Sequence, residues 1–185
     1  MHYRRVMKTK QMPQLHVLRL CRAPGTRWRG LLRVGHRVVP VALGRAGIKA
    51  NKREGDGATP RGRFRLLRLW WRTERAPRPC TLLPSRPIRA DDGWCEDPSD
   101  RRYNRPIKLP PKRPGDRLWR EDGLYDLVIE LDHNTRPRVV GRGSAVFMHV
   151  AREDLLPTAG CVALSVSDLR KLISRLARNA MIEIR

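Results

Sequence analysis

Cys161 ends the tetrapeptide Thr158-Ala-Gly-Cys161, and His149 stands a short loop upstream of it. A thiol becomes a useful nucleophile when a base or a positive field lowers its pKa. Acyl transfer by that thiol also needs backbone N–H groups aimed at a developing oxyanion. A glycine directly before the cysteine lets the chain turn tightly enough to present such amides. The two residues therefore read as nucleophile and base, with Thr158 and Gly160 shaping the oxyanion and substrate site. No acid follows in triad order, so a backbone carbonyl is expected to orient the imidazole. On residue type alone, an inert buried thiol and a structural strand-end histidine fit as well.

Other groupings in the chain suggest different chemistry. His133, in Asp132-His-Asn-Thr-Arg136, can face the same site as a binding residue, although those residues also suit a turn. A zinc site from His133, His149 and Cys161 lacks any local ligand spacing. Asp91, Asp92, Glu96, Asp97 and Asp100 lack the alternation and closing glutamate of a calcium loop, so turns and pairing with nearby arginines account for them. The glycine-rich stretch 44–62 has no G-K-[ST] and is not a phosphate loop. Cys21, Cys80, Cys95 and Cys161 form no C-x-x-C, which excludes a zinc ribbon or thioredoxin-like motif. A disulfide between Cys80 and Cys95 stays open.

The elements that must position these residues are mostly strands. Leu15 to Leu20 alternates, and Trp28 to Val34 and Arg37 to Leu43 flank Gly35-His36 as a hairpin. Pro40 inside the second run implies an edge or a bulge. Gly62 to Trp71, Tyr125 to Asp132 and Ala145 to Val150 complete the strong runs, the last one carrying His149. Thr73 to Gly123 reads as a long, Pro-rich, mostly irregular insertion whose aromatics argue against disorder. Ser165-Val-Ser-Asp-Leu opens the one convincing helix, with Ser167 as its cap. Leu169, Leu172, Ile173 and Leu176 share a face, and Arg175 and Arg178 fall in its last turn. That helix would place its positive end near Cys161. Met181 to Arg185 closes the chain as a strand. The sum is a mainly β domain over 15–185, preceded by a basic, flexible segment 1–14.

With 185 residues, 40% of them hydrophobic, the chain can bury one core. A net charge of +22 points to anionic partners, nucleic acid or an anionic envelope. The arginines are scattered, which fits a diffuse field better than a recognition helix. No run reaches the roughly 20 apolar residues of a membrane helix, so no transmembrane segment is expected. The basic start is interrupted by Gln11, Pro13, Gln14 and His16, so it does not read as a secretory signal.

Two segments together resemble a known family. Gly55-Asp-Gly-Ala-Thr-Pro-Arg-Gly-Arg-Phe64 resembles the G-x-x-x-T-P-x-G-x-F signature of the L,D-transpeptidase (YkuD-like) catalytic domain. Gly143-Ser-Ala-Val-Phe-Met-His149 followed by Thr158-Ala-Gly-Cys161 is similar to its active-site motif. Gly93-Trp-Cys-Glu-Asp-Pro98 with Tyr103-Asn104 looks like a branch with a long insertion. The resemblance implies a β-sandwich with one late α-helix beside the nucleophile. It implies that Cys161 attacks a peptidoglycan stem tetrapeptide, expels D-alanine, and passes the acyl group from a thioester to an amine. His149 would be the base, and the amides around Gly160 and Cys161 the oxyanion hole. No metal or organic cofactor and no specific nucleic acid is implied, carbapenems are expected to acylate the thiol, and the periplasm or cell envelope is the expected location. The acceptor is a neighbouring stem, an envelope protein or, in an L,D-carboxypeptidase or amidase, water. Ala159 and Ala163 depart from the family's usual His and Arg or Asn, and the loop between His149 and Cys161 is shorter than usual. Competing readings are a basic nucleic-acid-binding module and an inactive envelope-binding domain.

Overall fold

The strands marked by alternation join one continuous sheet. The computed structural model describes residues 13–110 and 116–185. Most of the basic segment 1–14 lies outside the described residues. In chain order come β1 (Leu15–Arg22), β2 (Arg29–Val34), β3 (Arg37–Ala42), β4 (Ile48–Lys49), β5 (Thr59–Pro60) and β6 (Gly62–Trp71). Then follow β7 (Ser85–Pro87), β8 (Asp92–Cys95), β9 (Arg105–Lys108), β10 (Asp116–Arg117), β11 (Leu127–Leu131) and β12 (Phe147–Val150). After β13 (Val162–Leu164) come α1 (Val166–Ile173) and β14 (Leu176–Ile184).

The main sheet runs β11-β12-β13-β3-β2-β1-β14-β6-β7, and β11 also pairs with β6. Hydrogen bonding thus returns on itself, and the inner faces enclose the main core. The architecture is mainly β and sandwich-like, as expected. The β2–β3 hairpin turns at Gly35-His36, where Gly35 has φ 63°. Pro40 pairs with Leu31 on one side, while β3 meets β13 only at Ala42. The missing amide of Pro40 thus faces an open edge. No helix among the described residues is long and apolar enough to cross a membrane.

Alternation on β6 and β11 divides two cores. Leu66, Leu69 and Trp71 pack inward with Leu127, Ile129 and Leu131. Trp70 and Val128 point to the other face, where they meet Ile88, Trp94, Leu118, Phe147 and Cys161. Each such side chain, fully buried, contributes about 1.5–3 kcal/mol. The second core corrects the expectation of an irregular insertion: β8 pairs with β9 and β10 in a separate three-stranded sheet that covers this face. Its strands are two to four residues long and gain their order from packing against Trp70 and Phe147.

The end of the chain differs from expectation in two places. Ser165, not Ser167, caps α1: its Oγ accepts from the Asp168 amide at 3.1 Å and donates to Asp168 Oδ2 at 2.7 Å. The helix ends at Ile173, and Leu176 already pairs with Leu15 in β14, so Leu176 and Arg178 belong to the strand. Leu176 stays in the core because the strand inherits the apolar face of the helix.

The segment 44–60 docks by specific bonds. The buried Thr59 hydroxyl accepts from the Gly44 amide at 2.8 Å, and a Cβ on Gly44 would lie 2.3 Å from the Gly57 carbonyl. We predict that Thr59→Val, nearly isosteric, leaves the Gly44 donor unpaired and costs about 1–3 kcal/mol. Urea unfolding measures this, and an unchanged midpoint would contradict it.

Candidate active site

β12 and β13 run parallel, with His149 opposite Ala163 and Met148 opposite Val162. Side chains alternate along each strand, so Phe147, His149, Cys161 and Ala163 share the face turned to the insertion. Cys161 stands one residue before β13 and is 8% exposed. Its Sγ accepts from the Phe147 amide at 3.4 Å and donates to the Ala145 carbonyl at 3.2 Å.

His149, 6% exposed, packs its ring edge-on against Tyr125 at 5.2 Å. Its Nδ1 lies 2.8 Å from the Val150 carbonyl. A carbonyl only accepts, so this contact assigns the proton to Nδ1 and leaves Nε2 as a lone pair. The backbone carbonyl is the orienting group the sequence called for. Burial pushes the imidazole down to about 4. Burial likewise pushes the thiol up to about 12, with Asp116 and Glu96 adding to the rise and the Phe147 amide and Lys52 opposing it. The resting pair is therefore neutral thiol and neutral imidazole, which suits a base that takes the proton as the sulfur bonds carbon.

The turn before Cys161 is held from both sides. Gly160 has φ 152°, and a Cβ there would lie 2.9 Å from the Ala58 carbonyl. Thr158 Oγ1 accepts from the Gly160 amide at 3.1 Å and donates to the Cys161 carbonyl at 2.7 Å. The Gly160 amide is thus engaged in shaping the turn, not free for an oxyanion as expected. Thr158 in turn bonds Leu43 at 2.9 Å and Arg45 at 3.0 Å through its backbone. The two motifs that stand far apart in sequence meet here, Ala58 against Gly160.

The cleft over the thiol has a volume of about 450 Å³, and Thr158, Gly160, Cys161 and His149 line it. His133 does not. Its Nε2 lies 3.0 Å from the Arg142 carbonyl and its ring meets Phe64 edge-on at 5.4 Å, so it fastens the loop 133–143. The zinc grouping is therefore not assembled. Val166, at the start of α1, lines a neighbouring groove with Asp122 and Val150 and not the cleft itself. All four cysteines carry free thiols.

Sequence reading missed cleft charges such as Lys52, Glu54, Asp116 and Arg120, and it took Glu96, which also lines the cleft, for a turn or an arginine partner. Lys52 is 6% exposed, and its ammonium donates to Asp56 and the Arg53 carbonyl, each at 2.6 Å. Their only sequence signal is position, Lys52, Glu54 and Asp56 beside the T-P segment and Glu96 and Asp116 on the insertion. Three others of the acidic group pair with bases, Arg86 with Asp92 at 2.5 Å, Arg102 with Asp100 at 2.5 Å and Lys108 with Asp91 at 2.6 Å, and Asp97 holds a turn at Ser99.

A buried thiol and an imidazole with one open nitrogen thus share one cleft on a β-sandwich-like scaffold. The family model for the L,D-transpeptidase catalytic domain (YkuD) matches residues 20–184, and the chain belongs to that family. Comparison with curated proteins and with solved structures returns no match. The family implies peptidoglycan substrates.

Glu96 has its pKa raised to about 7, first by the surrounding cleft wall and then by Asp116 and Glu54. It is exposed by surface area, so solvent screening keeps its energetic effect small, and only its sign is drawn. The folded protein holds a proton that the unfolded chain releases near 4.5, so this group lowers stability as pH rises from about 4.5 to about 7. Burial of His149 acts oppositely, removing stability as pH falls from 6.5 toward about 4. We predict that Glu96→Gln gains stability relative to wild type on going from acid to neutral pH. Urea unfolding of both proteins checks it; a pH-independent difference would refute it.

Proposed function

We propose that the chain is a cysteine acyltransferase acting on peptidoglycan stem peptides, an L,D-transpeptidase whose residues 15–185 work as one catalytic domain. The observation that supports it most is the placing of Cys161, just before β13, and His149, on the adjacent parallel strand β12, above one cleft, with Nδ1 anchored and Nε2 open. Cys161 Sγ turns from Ala145 and attacks the carbonyl of the third stem residue while Nε2 of His149 takes the thiol proton. The amide of Cys161 and the ammonium of Lys52 face the oxyanion as it forms. The C–N bond to the terminal D-alanine breaks, and the imidazolium returns its proton to the leaving amine. An acceptor amine, from a neighbouring stem or an envelope protein, then attacks the thioester; Nε2 takes the amine proton and passes it to the leaving sulfur as the C–S bond breaks. The work is done in the periplasm or cell envelope.

Incubation with a stem tetrapeptide and, separately, with a carbapenem should give a covalent adduct at Cys161 by mass spectrometry, absent in Cys161→Ala. A folded protein with no adduct from either reagent would remove this reading, and adduct loss to water without amine capture would assign a hydrolase. His149→Ala should keep the fold and slow acylation by about 10²–10⁴-fold. Wild-type acylation by that variant would take His149 out of the mechanism.

A further inference from the structure

The turn that holds the thiol has a demanding backbone. Ala145, whose carbonyl takes the hydrogen bond of Cys161, has φ 49°, a left-handed conformation that a residue with a Cβ adopts at a cost. Such a conformation persists when surrounding bonds over-determine it. Here three consecutive residues are held. Gly143 N donates to the Tyr103 hydroxyl at 3.1 Å, Ser144 Oγ donates to Glu54 at 2.8 Å, and Ala145 N donates to Asn104 Oδ1 at 3.1 Å. Tyr103 itself donates to the same Glu54 carboxylate.

Asn104 is the hub of these contacts. It is 3% exposed, and every hydrogen-bonding position of its side chain is filled. Oδ1 also accepts from the Trp94 indole at 3.0 Å, and Nδ2 donates to the carbonyls of His133 at 3.1 Å and Asn134 at 2.9 Å. Two N–H donors on one side and two carbonyls on the other fix which end of the amide is oxygen. Asn104 is itself left-handed, with φ 53°, a conformation that asparagine tolerates better than other side-chain-bearing residues.

Resting on the reading of Cys161 as nucleophile, we infer that Asn104 is a positioning residue for it, acting through the Ala145 peptide. Oδ1 fixes the Ala145 amide. The same short turn carries the Ala145 carbonyl and the Phe147 amide, the two groups that hold Sγ. The insertion therefore does more than wall the cleft, since it supplies the residue that sets where the thiol stands. Asp116, Glu96, Lys52 and Tyr125 are charged or titratable groups that interact with the thiol, and none of them is bonded to Asn104.

Asn104→Ala and Asn104→Asp test this. Asp keeps an acceptor for the Ala145 amide and loses both donors to the loop 133–134. The measurements are carbapenem acylation, split into rate and half-saturation, and the pH profile of Cys161 alkylation by iodoacetamide, each on protein shown folded by thermal melt. Asn104→Ala should acylate about 10- to 100-fold more slowly with little change in half-saturation, and its alkylation midpoint should move up. Asn104→Asp should recover most of the rate even where its melting temperature is lower. A folded Asn104→Ala with the wild-type rate and midpoint overturns the inference. So does an Asp variant as slow as the Ala variant or, where the Ala variant does not fold, slowed tenfold or more. Wild-type protein that forms no Cys161 adduct fails the nucleophile reading instead, and the alkylation profiles still decide the positioning role.

Discussion

The parallel pairing of β12 with β13 is the constraint on which the site depends. It sets His149 beside Ala163 and brings Cys161 level with Phe147 on the same face. Because side chains alternate with period two, a slip of one residue would turn either the thiol or the imidazole into the main core. The register is defended on every side. β11 pairs with the outer edge of β12, and Met148, Val162 and Leu164 anchor the opposite face. The capped helix and β14 then carry the chain back to β1 and close the sheet. Fold stability and catalytic geometry are here the same hydrogen bonds.

A sheet with one core would leave that face to water. The insertion covers it, and the second core places Cys161 among Trp94, Phe147 and Ala145. Desolvation is why the thiol is driven up to about 12 and the imidazole down to about 4. It works against a ready-made ion pair and in favour of proton transfer coupled to attack. The same desolvation strengthens the effect of the charges that act on the thiol, Asp116, Glu96 and Lys52.

That Cys161, His149 and Gly160 meet in one cleft was legible because thiol, imidazole and a turn glycine narrow the residue type. The long strands were legible because Gly62 to Trp71 and Leu127 to Leu131 alternate strongly and locally. The helix cap was misread by two residues, since Ser165 and Ser167 both fit and only the bond to the Asp168 amide separates them. The insertion was not legible because β8, β9 and β10 are too short to carry a pattern and are ordered by contacts distant in sequence. Lys52, Glu54 and Asn104 escaped for a related reason. Nothing in a lysine or an asparagine says that it will be buried, and only closure of the sheet puts the T-P segment and the Tyr-Asn pair around one turn.

The charge of the chain and the charge of its cleft then answer different questions. The formal +22 is spread over arginines that stand mostly on the surface, and it governs attraction to anionic surroundings at long range. In the cleft the balance changes: Glu54, Glu96 and Asp116 share one cavity with Arg45, Lys52, Arg120 and Arg152. A cavity of mixed sign does not simply collect anions; it favours a ligand that carries both signs in matching places. Ala163 leaves room beside His149 for such a ligand to approach, and Lys52 and the acids on the insertion stand on the walls around it. The basic surface attracts anions in general, and the mixed charges of the cleft act on whatever reaches the sulfur.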